Sequence, residues 1–71
     1  MKIPLKEILE YFHRRNFPVG YNTLCLKHGE KKTDAKIDKA CRKDYVEYGV
    51  SQRTGWLTQK GLDKLRELKE D

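Results

Sequence analysis

The sequence predicts a small α+β domain with three helices, a two-stranded β-hairpin and a fourth helix at the C-terminal end. Three observations predict it. Leu5, Ile8, Leu9 and Phe12 recur at the spacing of one helical face. Two short runs of strand-forming residues, Tyr45-Val46-Glu47-Tyr48 and Trp56-Leu57, are separated by the polar, glycine-bearing segment Ser51–Gly55. Thr58 then precedes Leu62, Leu65 and Leu68, a capped amphipathic helix.

The first helix is expected over residues 3–16, with Pro4 in its first turn, where a missing N–H leaves no bond unmade. Asn16 is expected to end it. Phe17-Pro18-Val19-Gly20 reads as a breaker, and Pro18 excludes a central strand there. A short second helix is predicted over about 23–28, capped by Asn22 or Thr23, contributing Leu24 to the core and leaving through His28 and the left-handed Gly29. Glu30-Lys31-Lys32-Thr33 reads as a turn. Thr33 or Asp34 caps a third helix over about 34–44, with Ile37, Ala40, Cys41 and Tyr45 as its inner stripe. On the strand that follows, Val46, Tyr48 and Val50 alternate onto one face. Leu57 and Leu62 are spaced as a hydrophobic staple around the final cap.

Seventy-one residues make one domain, 1–71. A chain this short buries only about 60% of its unfolded surface, which leaves little room for a walled active-site cavity. Sixteen Lys and Arg against eleven Asp and Glu give a net charge of +5. The excess is concentrated: residues 27–43 carry seven basic and three acidic side chains, residues 1–16 four and two, and the final helix is balanced. Clustered positive charge is the electrostatic signature of a nucleic-acid binder, although a solvated surface is the plainer reading of charge alone. No apolar run approaches the ~20 residues that span a bilayer, and the N-terminal segment lacks the apolar stretch of a secretory signal. The expected setting is therefore intracellular and cytoplasmic, with Cys25 and Cys41 reduced.

On the third helix Lys36, Lys39 and Lys43 fall in one row, with Lys32 a turn earlier and Arg42 on its border. The order helix, helix, lysine-faced helix, hairpin, helix resembles the winged helix-turn-helix family of DNA-binding domains. Two segments carry the resemblance. Tyr45-Val46-Glu47 is similar to the Leu-Val-Glu that starts the wing, and Leu57-Thr58-Gln59-Lys60-Gly61 to the Leu-Thr-x-Lys-Gly that opens the helix after it. Leu62 and Leu65 continue the pattern. Asp44 replaces the usual Gly before the wing, but Asp tolerates a left-handed backbone better than most residues.

The resemblance implies a small transcriptional regulator whose partner is double-stranded DNA. The third helix would dock in the major groove and the wing, about 45–57, on the backbone or minor groove. Lys32, Lys36, Lys39 and Lys43 would contact phosphates, and Arg42, turned inward, would read bases. Thr33 and the helix N-terminus would hold a phosphate. Arg53, assisted by Gln52, would enter a minor groove or clamp the backbone. Either a monomer or a homodimer through the first and last helices is compatible with this arrangement.

The rival reading is a protein–protein adaptor, in which Trp56, Tyr48 and the hairpin form the contact and the lysines only keep the domain soluble. Strand alternation sends Trp56 to the face opposite Leu57, to pack on a long side chain or to anchor a partner. No catalytic residues, cofactor, metal or small-molecule ligand are expected. Cys25 and His28 have a ligand-like spacing, but Cys41 has no nearby mate and falls on the apolar stripe. Asp63, Glu67 and Glu70 are interleaved with Lys60, Lys64 and Arg66, as helical ion pairing requires.

Overall fold

The computed structural model describes residues 3–70. The elements, in chain order, are α1 (Leu5–Arg14), α2 (Val19–His28), α3 (Glu30–Arg42), β1 (Val46–Glu47), β2 (Trp56–Leu57) and α4 (Gln59–Lys69). One 3₁₀ turn, Gln52–Thr54, interrupts the loop between the strands. It is a small α+β domain of four helices and one two-stranded antiparallel sheet.

The periodicity of α1 has its expected result: Ile8, Leu9 and Phe12 are buried, together with Tyr11. The helix is shorter than expected at both ends. Pro4 stands just before it, and Arg15, at φ 51°, turns left-handed and returns its N–H to the carbonyls of Tyr11 and Phe12, so Asn16 lies beyond the end. The Phe17–Pro18 peptide is cis.

Helix α2 begins four residues earlier than predicted. Pro18 occupies its N-cap position, so the capping role expected of Asn22 or Thr23 does not arise. Thr23 instead donates its hydroxyl to the Val19 carbonyl one turn back. Tyr21 and Leu24 are buried.

A single residue, Gly29, separates α2 from α3. Its φ of 91° and ψ of 148° belong to a region open essentially to glycine alone. Because Gly29 makes the whole change of direction, Glu30-Lys31-Lys32 need not form a turn. They are good helix formers, with an acidic residue favourably placed at the positive end of the dipole, and they make the first turn of α3. The expected start near 34 is corrected accordingly. Thr33 moves inside the helix and joins Ile37 and Ala40 on its buried face.

The end of α3 behaves as predicted for Asp44. At φ 65° it is left-handed. Its N–H bonds the Cys41 carbonyl and that of Tyr45 bonds the Ala40 carbonyl, the paired bonds of a Schellman stop. The strand that follows is shorter than expected. Val46 pairs with Leu57 and Glu47 with Trp56, and there the ladder ends. Val46 is buried, but Tyr48 and Val50 do not continue the face: they are 45% and 99% exposed. The chain leaves the strand direction because Gln52 and Arg53 bond to α3 instead.

Thr58 caps α4 as predicted, accepting from the Gly61 N–H at 3.0 Å while donating to the Asp44 carbonyl. A β-carbon on Gly61 would collide with the carbonyl oxygen of Tyr45. Glycine is what lets the first turn of α4 sit on the end of α3. The core gathers Ile3, Ile8, Tyr11, Phe12, Tyr21, Leu24, Ile37, Ala40 and Val46, with Cys25, Cys41, Tyr45 and Leu57 packed against it. Leu65 is buried on α4, which lies along α1; Leu62 and Leu68 are half-buried. No helix among the described residues is long and apolar enough to cross a membrane.

Candidate nucleic-acid interface

Helix α3 with its C-cap Lys43, and the loop between the strands, carry every residue singled out as a candidate contact. At about 100° per residue, Thr33, Ile37 and Ala40 define the inward direction. Lys32, Lys36, Lys39 and Lys43 lie together on one flank and around the back, as their spacing requires. Lys32, Lys39 and Lys43 are exposed and Lys36 is half-buried. Lys31, which the sequence reading places in a turn, joins the exposed set because the helix begins at Glu30. Its signal in the sequence is Gly29 directly after His28, a one-residue elbow rather than the start of a loop.

Asp34 and Asp38 occupy the opposite flank, about 160° around the axis from Lys36. This is the side on which the 48–55 loop rests. Arg53 meets Asp34 with both prongs: Nη2 donates to Oδ2 at 2.7 Å and Nε donates to Oδ1 at 3.2 Å. The Tyr21 hydroxyl donates to the same Oδ1 at 2.8 Å. The Arg53 guanidinium lies 4.6 Å from the centre of the Tyr21 ring, and the Tyr11 hydroxyl donates to the Arg53 backbone carbonyl. Gln52 donates to Asp38 at 3.1 Å, and Arg42 pairs with the other oxygen of Asp38 at 2.9 Å.

The candidate residues therefore separate into two groups. Lys31, Lys32, Lys39 and Lys43 stand on an open cationic surface. Arg53 and Gln52, expected at a protruding tip, are folded back and bonded to the helix flank. Arg42 sits between the groups, internally paired but with its side chain 79% exposed. Thr33 is at no surface at all: it is 0% exposed, and its hydroxyl has no hydrogen-bond partner. The expectation that it caps the helix or holds a phosphate fails because the helix starts three residues before it.

No protein-family model matches this chain, and neither a curated protein nor a solved structure is detectably similar to it.

The electrostatics of the site follow from these contacts. The Arg53 guanidinium, with help from the Tyr21 hydroxyl, holds the Asp34 carboxyl below the ordinary carboxylate range against the opposing effect of burial. Arg53 is stabilised as the cation in return. Burial raises the Tyr21 phenol well above its ordinary value, and the Cys25 and Asp34 side chains raise it further. Asp34 and Asp38 thus have cationic or amide partners, and on the exposed surface of α3 the lysines outnumber the one fully exposed carboxylate, Glu30.

Glu7 on α1 takes Lys27 at 2.9 Å and faces His28 at 3.5 Å, joining α1 to α2. Cys25 and Cys41 are free thiols, half-buried against the core, and burial raises the Cys41 thiol. Among the described residues no three His, Cys, Asp or Glu side chains gather as metal ligands would. Trp56 is 39% exposed and, with Tyr48, Gln52, Arg42 and Val46, borders an open groove of about 440 Å³ between the hairpin and α3.

Proposed function

We propose that this domain is a winged helix-turn-helix that binds double-stranded DNA and acts as a small transcriptional regulator. Helix α3 enters the major groove and the β1–β2 hairpin is the wing. The order of elements supports the reading: two helices joined by one residue, a hairpin directly after the second of them, and a closing helix on α1. The observation that carries it is the outward surface of α3. Lys31, Lys32, Lys39 and Lys43 are exposed there, while the helix's interior carboxylates, Asp34 and Asp38, are bonded to Arg53, Gln52 and Arg42 on one flank. A polyanion approaching this surface meets ammonium groups and no bare Asp34 or Asp38.

Binding works chiefly through phosphates. Each lysine that replaces condensed counterions contributes affinity that falls with salt, at about 0.9 in log–log slope per contact. Arg42 is the base reader of this set: it meets Asp38 through Nε and offers its remaining donors to a base edge. Arg53 acts from behind: it fixes the wing loop to the helix and neutralises Asp34.

Titration of a labelled duplex at several salt concentrations tests the reading. Steep loss of affinity with salt is expected, and Lys39→Glu with Lys43→Glu should abolish binding while the circular dichroism spectrum is retained. Undiminished binding by that double variant would place the DNA surface elsewhere.

One observation favours a second reading, the protein–protein adaptor. Tyr48, Val50 and Trp56 expose apolar surface together on the hairpin and its loop. An adaptor shows little duplex binding near physiological salt, so the same titration separates the two.

A further inference from the structure

Six residues of α3 are exposed: Glu30, Lys31, Lys32, Ala35, Lys39 and Arg42. Five are charged and the sixth is a methyl group. Ala35 lies about 170° around the helix from the mean direction of Thr33, Ile37 and Ala40, on the line farthest from the core. Lys31, Lys32, Lys39 and Arg42 all fall within about 60° of it around the axis. With a rise of 1.5 Å per residue, the first two stand about 5–6 Å before it and the last two about 6–10 Å after it. Asp38 shares this sector but is held sideways by Arg42 and Gln52.

This is an arrangement of long side chains around a short one. A helix lying in a major groove about 12 Å wide has phosphates on both sides and base edges beneath. The flexible four-carbon chains of Lys31, Lys32 and Lys39 splay to the sides. What remains for the floor of the groove is the residue they surround. A large side chain at position 35 would hold the helix away from the bases; a methyl group lets it approach.

Resting on the DNA-binding reading above, we infer that Ala35 is the point at which α3 comes closest to the base pairs and that it reads the 5-methyl group of thymine. The ligand class is then A·T-containing duplex, recognised by an apolar contact at the centre and held by lysines around it. An exposed alanine also has a purely local explanation, its high helix propensity, so the experiment must separate reading from helix formation.

Two duplexes of equal length serve as probes, one of alternating deoxyadenosine and thymidine, the other with deoxyuridine in place of thymidine. Their phosphate charge is identical and only the methyl groups differ. The protein should bind the thymidine duplex about fourfold more tightly, the effect of removing one methyl-sized group from water, with the same salt slope on both. Ala35→Gly should bind both equally, and its folding is checked by circular dichroism. Ala35→Ser, which is milder for the helix, should lose the preference in the same way. Equal binding of the two duplexes by the unaltered protein, or a preference that persists in folded Ala35→Gly, overturns the role of Ala35 while leaving DNA binding intact. Failure to bind either duplex at low salt overturns both.

Discussion

Arg53 and Asp34, nineteen positions apart, form a two-pronged ion pair that ties the loop between the strands to the flank of α3, with Nη2–Oδ2 at 2.7 Å and Nε–Oδ1 at 3.2 Å. Parallel N–H···O bonds of this kind fix geometry as well as charge. Here they also bring the guanidinium over Tyr21 of α2, so one side chain touches two helices.

A first prediction concerns what Arg53 does. As a fastening of the loop between the strands, Arg53→Gln should lower the melting temperature and leave the salt slope of duplex binding unchanged. As a phosphate contact, it would reduce that slope by about 0.9 with little effect on melting. Melting curves and anisotropy titrations on the same sample decide between these outcomes.

The same pair sets an acid limit. The folded-state carboxyl of Asp34 lies below its ordinary value, first because of the Arg53 hydrogen bonds. The carboxyl of Glu7 is lowered too, first by the Lys27 hydrogen bond. A depressed folded pKa contributes stability that is complete above the unfolded value and lost as pH falls through the folded one. Stability should therefore decline as the pH drops below about 4, and Asp34→Asn should flatten that decline. Urea midpoints measured across acidic pH test this; an unaltered acid limb in Asp34→Asn would contradict it.

The alkaline side has its own marker. Burial pushes the Tyr11 phenol up to about 12, above its ordinary value of about 10. Because the folded value is the higher one, the stability it contributes is complete below pH ~10 and is lost as pH rises toward 12. Tyrosinate absorbance should show a late ionisation near pH 12 that disappears in Tyr11→Phe, while the still later ionisation of Tyr21 remains.

Thr33→Val should stabilise the protein. The hydroxyl is fully buried and has no partner, and leaving such a group unsatisfied costs about 1–3 kcal/mol. Valine has nearly the same shape without the polar atom, so a gain of about 1 kcal/mol in chemical denaturation is expected. Unchanged duplex affinity in this variant would also separate Thr33 from the binding surface.

Gly61→Ala should be among the most damaging small substitutions. Its methyl group would run into the Tyr45 carbonyl, a backbone atom that cannot rotate away. The expected loss lies at the upper end of the ~1–3 kcal/mol typical of overpacking. Thr58→Ala, which removes a cap bonded to Gly61 and to Asp44, should lose about 1–2 kcal/mol.

Where the sequence could be read, a local rule decided the structure. The face of α1, the left-handed Asp44 and the Thr58 cap each depend on residues within one or two turns. The misreadings share the opposite cause. Thr33 looked like a cap because Glu30-Lys31-Lys32 looked like a turn, and only the backbone of Gly29 reveals that no turn is needed. Alternation alone extends the strand to Val50, whereas Arg53 and Gln52 find their partners on α3, and nothing in the local pattern of residues 48–55 announces Asp34 and Asp38. At the candidate interface the lysine spacing was legible because it is a helical period. The loop's attachment was not, because it is a tertiary contact between charges far apart in sequence.

The sheet contributes only two residue pairs, Val46 with Leu57 and Glu47 with Trp56, so the hairpin is positioned from its ends rather than along its length. Its base is held by Thr58 and Tyr45, and its far side by Arg53. Between these anchors a β-carbon at Gly49 would meet open space, and Val50 is almost wholly in solvent. Extra residues spliced in at that point would lengthen the loop without disturbing either attachment, which makes it the natural place to graft a tag, a dye or a longer finger.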